Sequence, residues 1–188
     1  MRFGTDAMTW PHRMGLRWAS WQIRRRELFT VDIRSALSRG GKALIFLPND
    51  EELVSHAVGA CRHLSVWFEP TQLMILSPSE NPPTAVNAGL PVLAVPHAVN
   101  RWGLPYRPVI RRVTEIAPQV AISLHPSFDL ASAYLCVVSG APLRIGIGGG
   151  GDRYFNLRYV WRDADGVRAP EHYRSFVRML ADLRLSGV

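Results

Sequence analysis

Short apolar runs alternate with amphipathic stretches along most of the chain. Runs that are almost wholly apolar, and that stop at Pro, Ser or Gly, predict buried strands. They are residues 43–48, 71–79, 90–96, 119–125 and 143–148. Helical periodicity of apolar residues marks 51–64, 106–118 and 128–141. Strands that alternate with helices in this way predict a parallel sheet covered on both faces. The predicted fold class is α/β, a Rossmann-like three-layer sandwich with a mainly parallel sheet, over residues 42–188.

The first 41 residues form a separate segment that is rich in Trp and Arg. Residues 13–29 predict a basic amphipathic helix. Its apolar positions are Met14, Trp18, Trp21 and Leu28. Its basic positions, on other faces, are Arg17, Arg24, Arg25 and Arg26. Such an apolar stripe has to be covered, either by the domain itself, by another protein or a second copy, or by an anionic membrane.

The net charge of +7 is concentrated in this segment. Residues 1–42 contain nine basic and three acidic side chains, so the remainder of the chain is nearly neutral. No base-reading motif accompanies Arg24, Arg25 and Arg26, and nucleic acid is therefore not the expected partner. Another protein or self-association through Trp18, Trp21 and these arginines is expected, with peripheral membrane contact as the alternative.

The cysteines and the hydropathy pattern predict a reducing, cytoplasmic environment. Cys61 and Cys136 are the only cysteines, lie in apolar helical stretches and lack metal-ligand spacing. No apolar stretch reaches 18 residues, and arginines interrupt every candidate signal-peptide core. The expected location is the cytoplasm, and the alternative is peripheral association with the inner face of the membrane.

A glycine run at 146–151 matches the G-x-G-x-x-G spacing of dinucleotide-binding loops. The motif requires a following helix, but RYFNLRYVW is rich in aromatic and β-branched residues and predicts a strand or an extended loop. Asp163 and Asp165, the acids at ribose-binding distance, lie in a turn-like DADG sequence. No cofactor is therefore expected, and a nucleotide-binding Rossmann domain is kept only as an alternative.

Ligands of open α/β sheets bind beyond the carboxyl ends of the strands. The candidates at those ends are Asn49, Asp50, His97, His125 and Ser127. Asn49 and Asp50 equally suit the N-cap of the following helix. The two histidines give no metal-ligand spacing, and no Ser-His-Asp or Cys-His set is fixed by the sequence.

The stretch VAISLHPSFDLASAYLCVVSGAPLRIGI (120–147) resembles glycosyltransferase family 9, the ADP-heptose:lipopolysaccharide heptosyltransferases. Its "ISLH", "SGA" and "RIG" segments match that family's "IDLH", "SGA" and "RIG" motifs, and the resemblance extends to 42–48 and 171–185. It implies a GT-B architecture in which an N-terminal domain takes the sugar acceptor and a C-terminal domain takes the nucleotide-sugar donor. Because the chain ends at Val188, the resemblance implies the N-terminal half alone.

Two departures from the family concern catalysis. The family's first loop carries a Gly-Asp pair with the candidate base, whereas this chain has PNDEE, in which Asp50 lacks the preceding glycine. The strand aspartate is replaced by Ser123. The resemblance therefore implies a non-catalytic module that acts in binding or assembly, in which Asp50 would be catalytic only if activity survives. The alternative is the acceptor-binding half of a split glycosyltransferase.

Overall fold

A computed structural model describes residues 10–23, 31–37, 41–68, 72–77, 89–95, 99–161 and 168–186. The strands are β1 Ala43–Phe46, β2 Leu73–Ser77, β3 Val92–Ala94, β4 Val120–Ser123, β5 Leu143–Ile147 and β6 Leu157–Tyr159. The helices are α1 Trp10–Ile23, α2 Ile33–Ala36, α3 Glu51–Ser65, α4 Arg107–Ile116, α5 Leu130–Val138 and α6 Ala169–Ser186.

The strands form one parallel sheet in the order β3-β2-β1-β4-β5-β6. Helices cover both faces, so the predicted α/β, Rossmann-like sandwich is confirmed. Ala43 of β1 pairs with Leu73 of β2 on one side and with Val120 of β4 on the other. The strand order reverses between β1 and β4, where open sheets of this kind have their ligand crevice.

Alternate residues of the central strands point to opposite faces of the sheet. Ile45 and Ile122 belong to the core under α2, α3 and α6. Leu44 and Ala121 belong to the core under α1, α4 and α5. The strands are mainly apolar because both faces of the sheet are covered.

The segment before residue 42 contributes to the domain core through α2. The Asp32 carboxylate accepts from the Arg34 N–H at 3.0 Å and caps this short helix. Ala36 and the fully buried Leu37 pack in the core that α6 covers. A deletion ending at residue 41 would therefore remove this part of the core together with α1, whereas one ending at residue 30 would keep Ala36 and Leu37 but still remove α1 with its buried Ala19.

The predicted N-terminal helix is present as α1, which begins at Trp10 and is described as far as Ile23. The later part of the predicted helix, residues 24–29, lies outside the described residues. α1 packs on the α5 side through Ala19, which is fully buried, and through Gly15, which lies against the Trp102 carbonyl. The domain itself therefore covers one side of this helix.

Candidate functional site

The crevice between β1 and β4 is filled by side chains of the chain itself. Leu47 and Pro48, which follow β1, are buried, and so is Leu124, which follows β4. Tyr173 of α6 donates its hydroxyl to the Leu124 carbonyl at 2.8 Å. Burial raises the pKa of Tyr173, so the phenol keeps the proton that it donates. At the position where open sheets of this kind hold a ligand, the described residues form a packed seam.

Asn49 and Asp50 follow this seam and are exposed. Asp50 is the N-cap of α3, and its Oδ1 accepts from the N–H groups of Glu52 at 2.9 Å and Leu53 at 3.4 Å. The helix-cap interpretation of Asp50 is therefore confirmed. Its carboxylate satisfies N–H groups that would otherwise be open to an anionic ligand.

Asp50→Ala should lower the free energy of unfolding by about 1 kcal/mol because it removes this cap. Asp50→Asn should change it by less than about 0.5 kcal/mol, since Asn caps helices about as well as Asp. Chemical denaturation of the three proteins measures both values. Equal losses in the two variants would show that the negative charge matters more than the capping geometry.

His125 lies at the carboxyl end of β4 in a buried polar network. Its Nδ1 is 3.1 Å from the Ser123 Oγ, which is in turn 3.0 Å from the Ser132 Oγ of α5. Asp129, the N-cap of α5, accepts from the Ser132 N–H at 2.7 Å. This network joins the end of β4 to the start of α5.

Ser123, His125 and Asp129 do not form a nucleophilic triad. Nε2 of His125 is 3.9 Å from Oδ1 of Asp129, which is too long for a hydrogen bond. Ser123 is 3% exposed and shares its hydroxyl with Ser132, so no substrate carbonyl has access to it. The arrangement is that of a satisfied buried network.

Burial lowers the pKa of His125, and the nearby Asp129 carboxylate opposes this shift. A lowered pKa in the folded state means that the unfolded chain binds the proton more tightly. The stabilisation is therefore fully present above the ordinary histidine pKa of about 6.5 and is lost as the pH falls below it.

We expect the unfolding free energy, measured by denaturant titration from about pH 8 to pH 5, to fall more steeply in the wild type than in His125→Asn. His63→Gln, at an exposed position of α3, should keep the wild-type slope. If His125→Asn also kept that slope, the buried imidazole would not be its source.

The glycine run packs against neighbouring rings and backbone. A Cβ at Gly148 would meet the Pro126 carbonyl oxygen, and one at Gly151 would meet the Phe128 ring. β6 follows the run, so the prediction of a strand or extended loop in place of a helix is confirmed. Asp163 and Asp165 lie outside the described residues.

The cleft candidates that lie within the described residues are not assembled into one site. Ser127 is exposed and, with His125 and Asp129, lines a cavity of about 10 Å³ beside the glycine run, too small for a sugar or a nucleotide. Asn49 and Asp50 do not line it. His97 lies outside the described residues.

A larger cavity, of about 570 Å³, lies on the α1 side of the molecule. We call it the α1 groove, and its lining residues are Met14, Gly15, Trp18, Asn100, Trp102, Leu104, Pro105, Arg107, Ile110 and Tyr134. Trp18 contacts Tyr134 with ring centroids 5.8 Å apart, and Trp10 lies 6.3 Å from Trp102. Among the described residues that line the groove, Arg107 is the single charged one, and most of the others are apolar.

The predicted contact residues Trp18 and Trp21 lie on the outer side of α1. They are 45% and 51% exposed, and Trp10 is 69% exposed. Arg24, Arg25 and Arg26, the predicted basic contacts, lie outside the described residues.

Thiol and metal chemistry have little support at the described positions. Cys61 and Cys136 are free and buried, as predicted, and burial raises the pKa of Cys61 to about 12. Among the described residues, no three His, Cys, Asp or Glu side chains are grouped as metal ligands would be. No described helix is long and apolar enough to span a bilayer.

The sequence predicted the individual strand ends but missed the network at β4. Asp129, directly before an apolar helical run, is a recognisable N-cap residue. The role of Tyr173 has no local signal, because its partner, Leu124, is 49 residues away. The groove beside α1 was missed for the same reason.

No protein-family model matches this chain, and no curated protein matches it significantly.

Proposed function

We propose that the chain is a catalytically inactive, heptosyltransferase-like module that acts in binding or assembly, and that the outer side of α1 makes the contact. The observation that carries the first part is the capping role of Asp50, whose carboxylate is held by two backbone N–H groups of α3. A general base needs a carboxylate within reach of an acceptor hydroxyl. Ser123, at the other strand end, offers none and is buried.

The outer side of α1 supports the second part of the proposal. Four large apolar side chains there are at least 40% exposed: Trp10, Met14, Trp18 and Trp21. Trp, Met and Arg are enriched at sites of macromolecular contact, and grouped exposed apolar residues mark such sites. The module would act in the cytoplasm, with its binding partner on this helix.

The test is the sedimentation of the tagged full-length chain in whole lysate of the source organism. The double variant Met14→Ser/Trp21→Ser should reduce the fraction that sediments in complexes several-fold. The matched control, Val66→Ser/Leu185→Ser, changes exposed apolar residues on the opposite layer and should leave it unchanged. An unchanged fraction in the α1 variant would refute the assignment of the contact to this helix.

A further inference from the structure

The distribution of side chains on α1 differs from that on an ordinary surface helix. Helices packed on a domain usually bury their large apolar residues and expose polar ones. α1 buries the small residues Gly15 and Ala19, whereas Trp10, Trp21 and Trp18 are 69%, 51% and 45% exposed. At 3.6 residues per turn, positions 10, 14, 18 and 21 share one side of the helix. The helix therefore packs on the domain through its small residues and presents a continuous apolar strip on its outer side.

The surroundings of this strip are basic. Arg13 and Arg17 are exposed on the same helix, and α1 contains no acidic residue. Arg107 lines the α1 groove on one side, and Arg153 lines a second cavity on the other side, with Trp21 and Arg17. None of the described residues that line these two cavities is acidic. The occupant that this face favours is therefore anionic.

We propose that the outer side of α1 binds the surface of an anionic lipid bilayer; this rests on the proposed function, because it names the partner of the same contact. Trp side chains favour the boundary between headgroups and acyl chains, and arginines beside them meet lipid phosphates. A row of rings with flanking arginines on one helix is the pattern of a helix that lies in the membrane interface.

Other anionic partners would contact the arginines of this face but not its apolar residues. A nucleic acid would pair with the arginines through its phosphates, but it offers no apolar layer for Met14 and the tryptophans. A bilayer offers both, and the α1 groove beside Met14 and Trp18 gives an apolar wall against which an acyl chain can lie.

Co-sedimentation of the full chain with vesicles tests the proposal. Phosphatidylcholine vesicles that contain about one third phosphatidylglycerol should bind the chain, and pure phosphatidylcholine should bind it at least about tenfold more weakly. Arg13→Gln and Arg17→Gln should each weaken binding about fivefold, because each basic residue at the surface contributes about 1 kcal/mol. Raised salt should weaken it further.

The apolar strip is tested separately from the charge. Met14→Ser/Trp21→Ser should weaken binding more than tenfold, whereas Val66→Ser/Leu185→Ser should bind as the wild type does. Thermal unfolding of each variant checks that the fold is kept. A blue shift of tryptophan emission on vesicle addition, lost on the Met14→Ser/Trp21→Ser background, would show that the rings enter the bilayer.

Two results would overturn the membrane proposal. One is the absence of binding to anionic vesicles by the full chain, and the other is binding that Met14→Ser/Trp21→Ser leaves unchanged. Suppose that anionic vesicles fail to bind the chain while its sedimentation in lysate still depends on Met14 and Trp21. In that case the contact is with a protein or nucleic acid, so the proposed function stands and the membrane proposal fails. If neither assay depends on these residues, both fail.

Discussion

Gly148→Ala should lower the free energy of unfolding by about 3–5 kcal/mol, a loss in the range of strongly destabilising single substitutions. Gly148 has φ +93°, in the left-handed region that disfavours a side chain. A Cβ there would also lie 1.8 Å from the Pro126 carbonyl oxygen. The loop after β5 and the turn at Pro126 would have to separate, next to the network of His125.

Gly149→Ala is the matched control, one residue along the same run. A Cβ at Gly149 has no atom within 4 Å, and its φ is not positive, so the expected change is within about 0.5 kcal/mol. Denaturant titration of the two variants measures the difference. Similar small losses would contradict a packing role for Gly148 and reopen the ligand-loop interpretation of the run.

Gly15→Ala should destabilise the protein although it replaces glycine inside a helix. The substitution alone favours helix by about 0.5–1 kcal/mol. At Gly15, however, the added Cβ would lie 2.3 Å from the Trp102 carbonyl oxygen, and α1 would have to move away from the domain. The expected net loss is about 1–3 kcal/mol.

Gly59→Ala, inside α3, has the opposite expected sign. Its Cβ meets nothing within 4 Å, so the helical preference acts alone and should stabilise by about 0.5–1 kcal/mol. The pair is measured by thermal and chemical unfolding. If Gly15→Ala were as stabilising as Gly59→Ala, α1 would not pack closely against the Trp102 carbonyl.

The main elements could be predicted from the sequence because burial on both faces makes the strands mainly apolar. β1 and β4 are examples, with each of their residues buried. α2 escaped prediction because four residues are too few to show helical periodicity. Leu37 follows α2 directly and belongs to the core through contacts with elements that are distant in sequence. A local sequence pattern does not predict such contacts.

The site was partly predictable for a related reason. The capping role of Asp50 is local, since it depends on an acid just before an apolar helix. The network of Ser123, His125 and Ser132 depends on how α5 packs beside β4, so spacing alone could not bring these residues together. The Trp stripe of α1 predicted an amphipathic helix, but not that Gly15 and Ala19 would form its buried side.

A sugar-transfer assay distinguishes a binding module from an active glycosyltransferase. The full chain would be incubated with ADP- and UDP-linked sugar donors and a lipopolysaccharide core acceptor, and nucleoside diphosphate release would be measured for the wild type and Asp50→Asn. We expect no release above a protein-free blank from either protein. Release by the wild type that Asp50→Asn abolishes while the fold is kept would contradict the account, because Asp50 would then be a catalytic base.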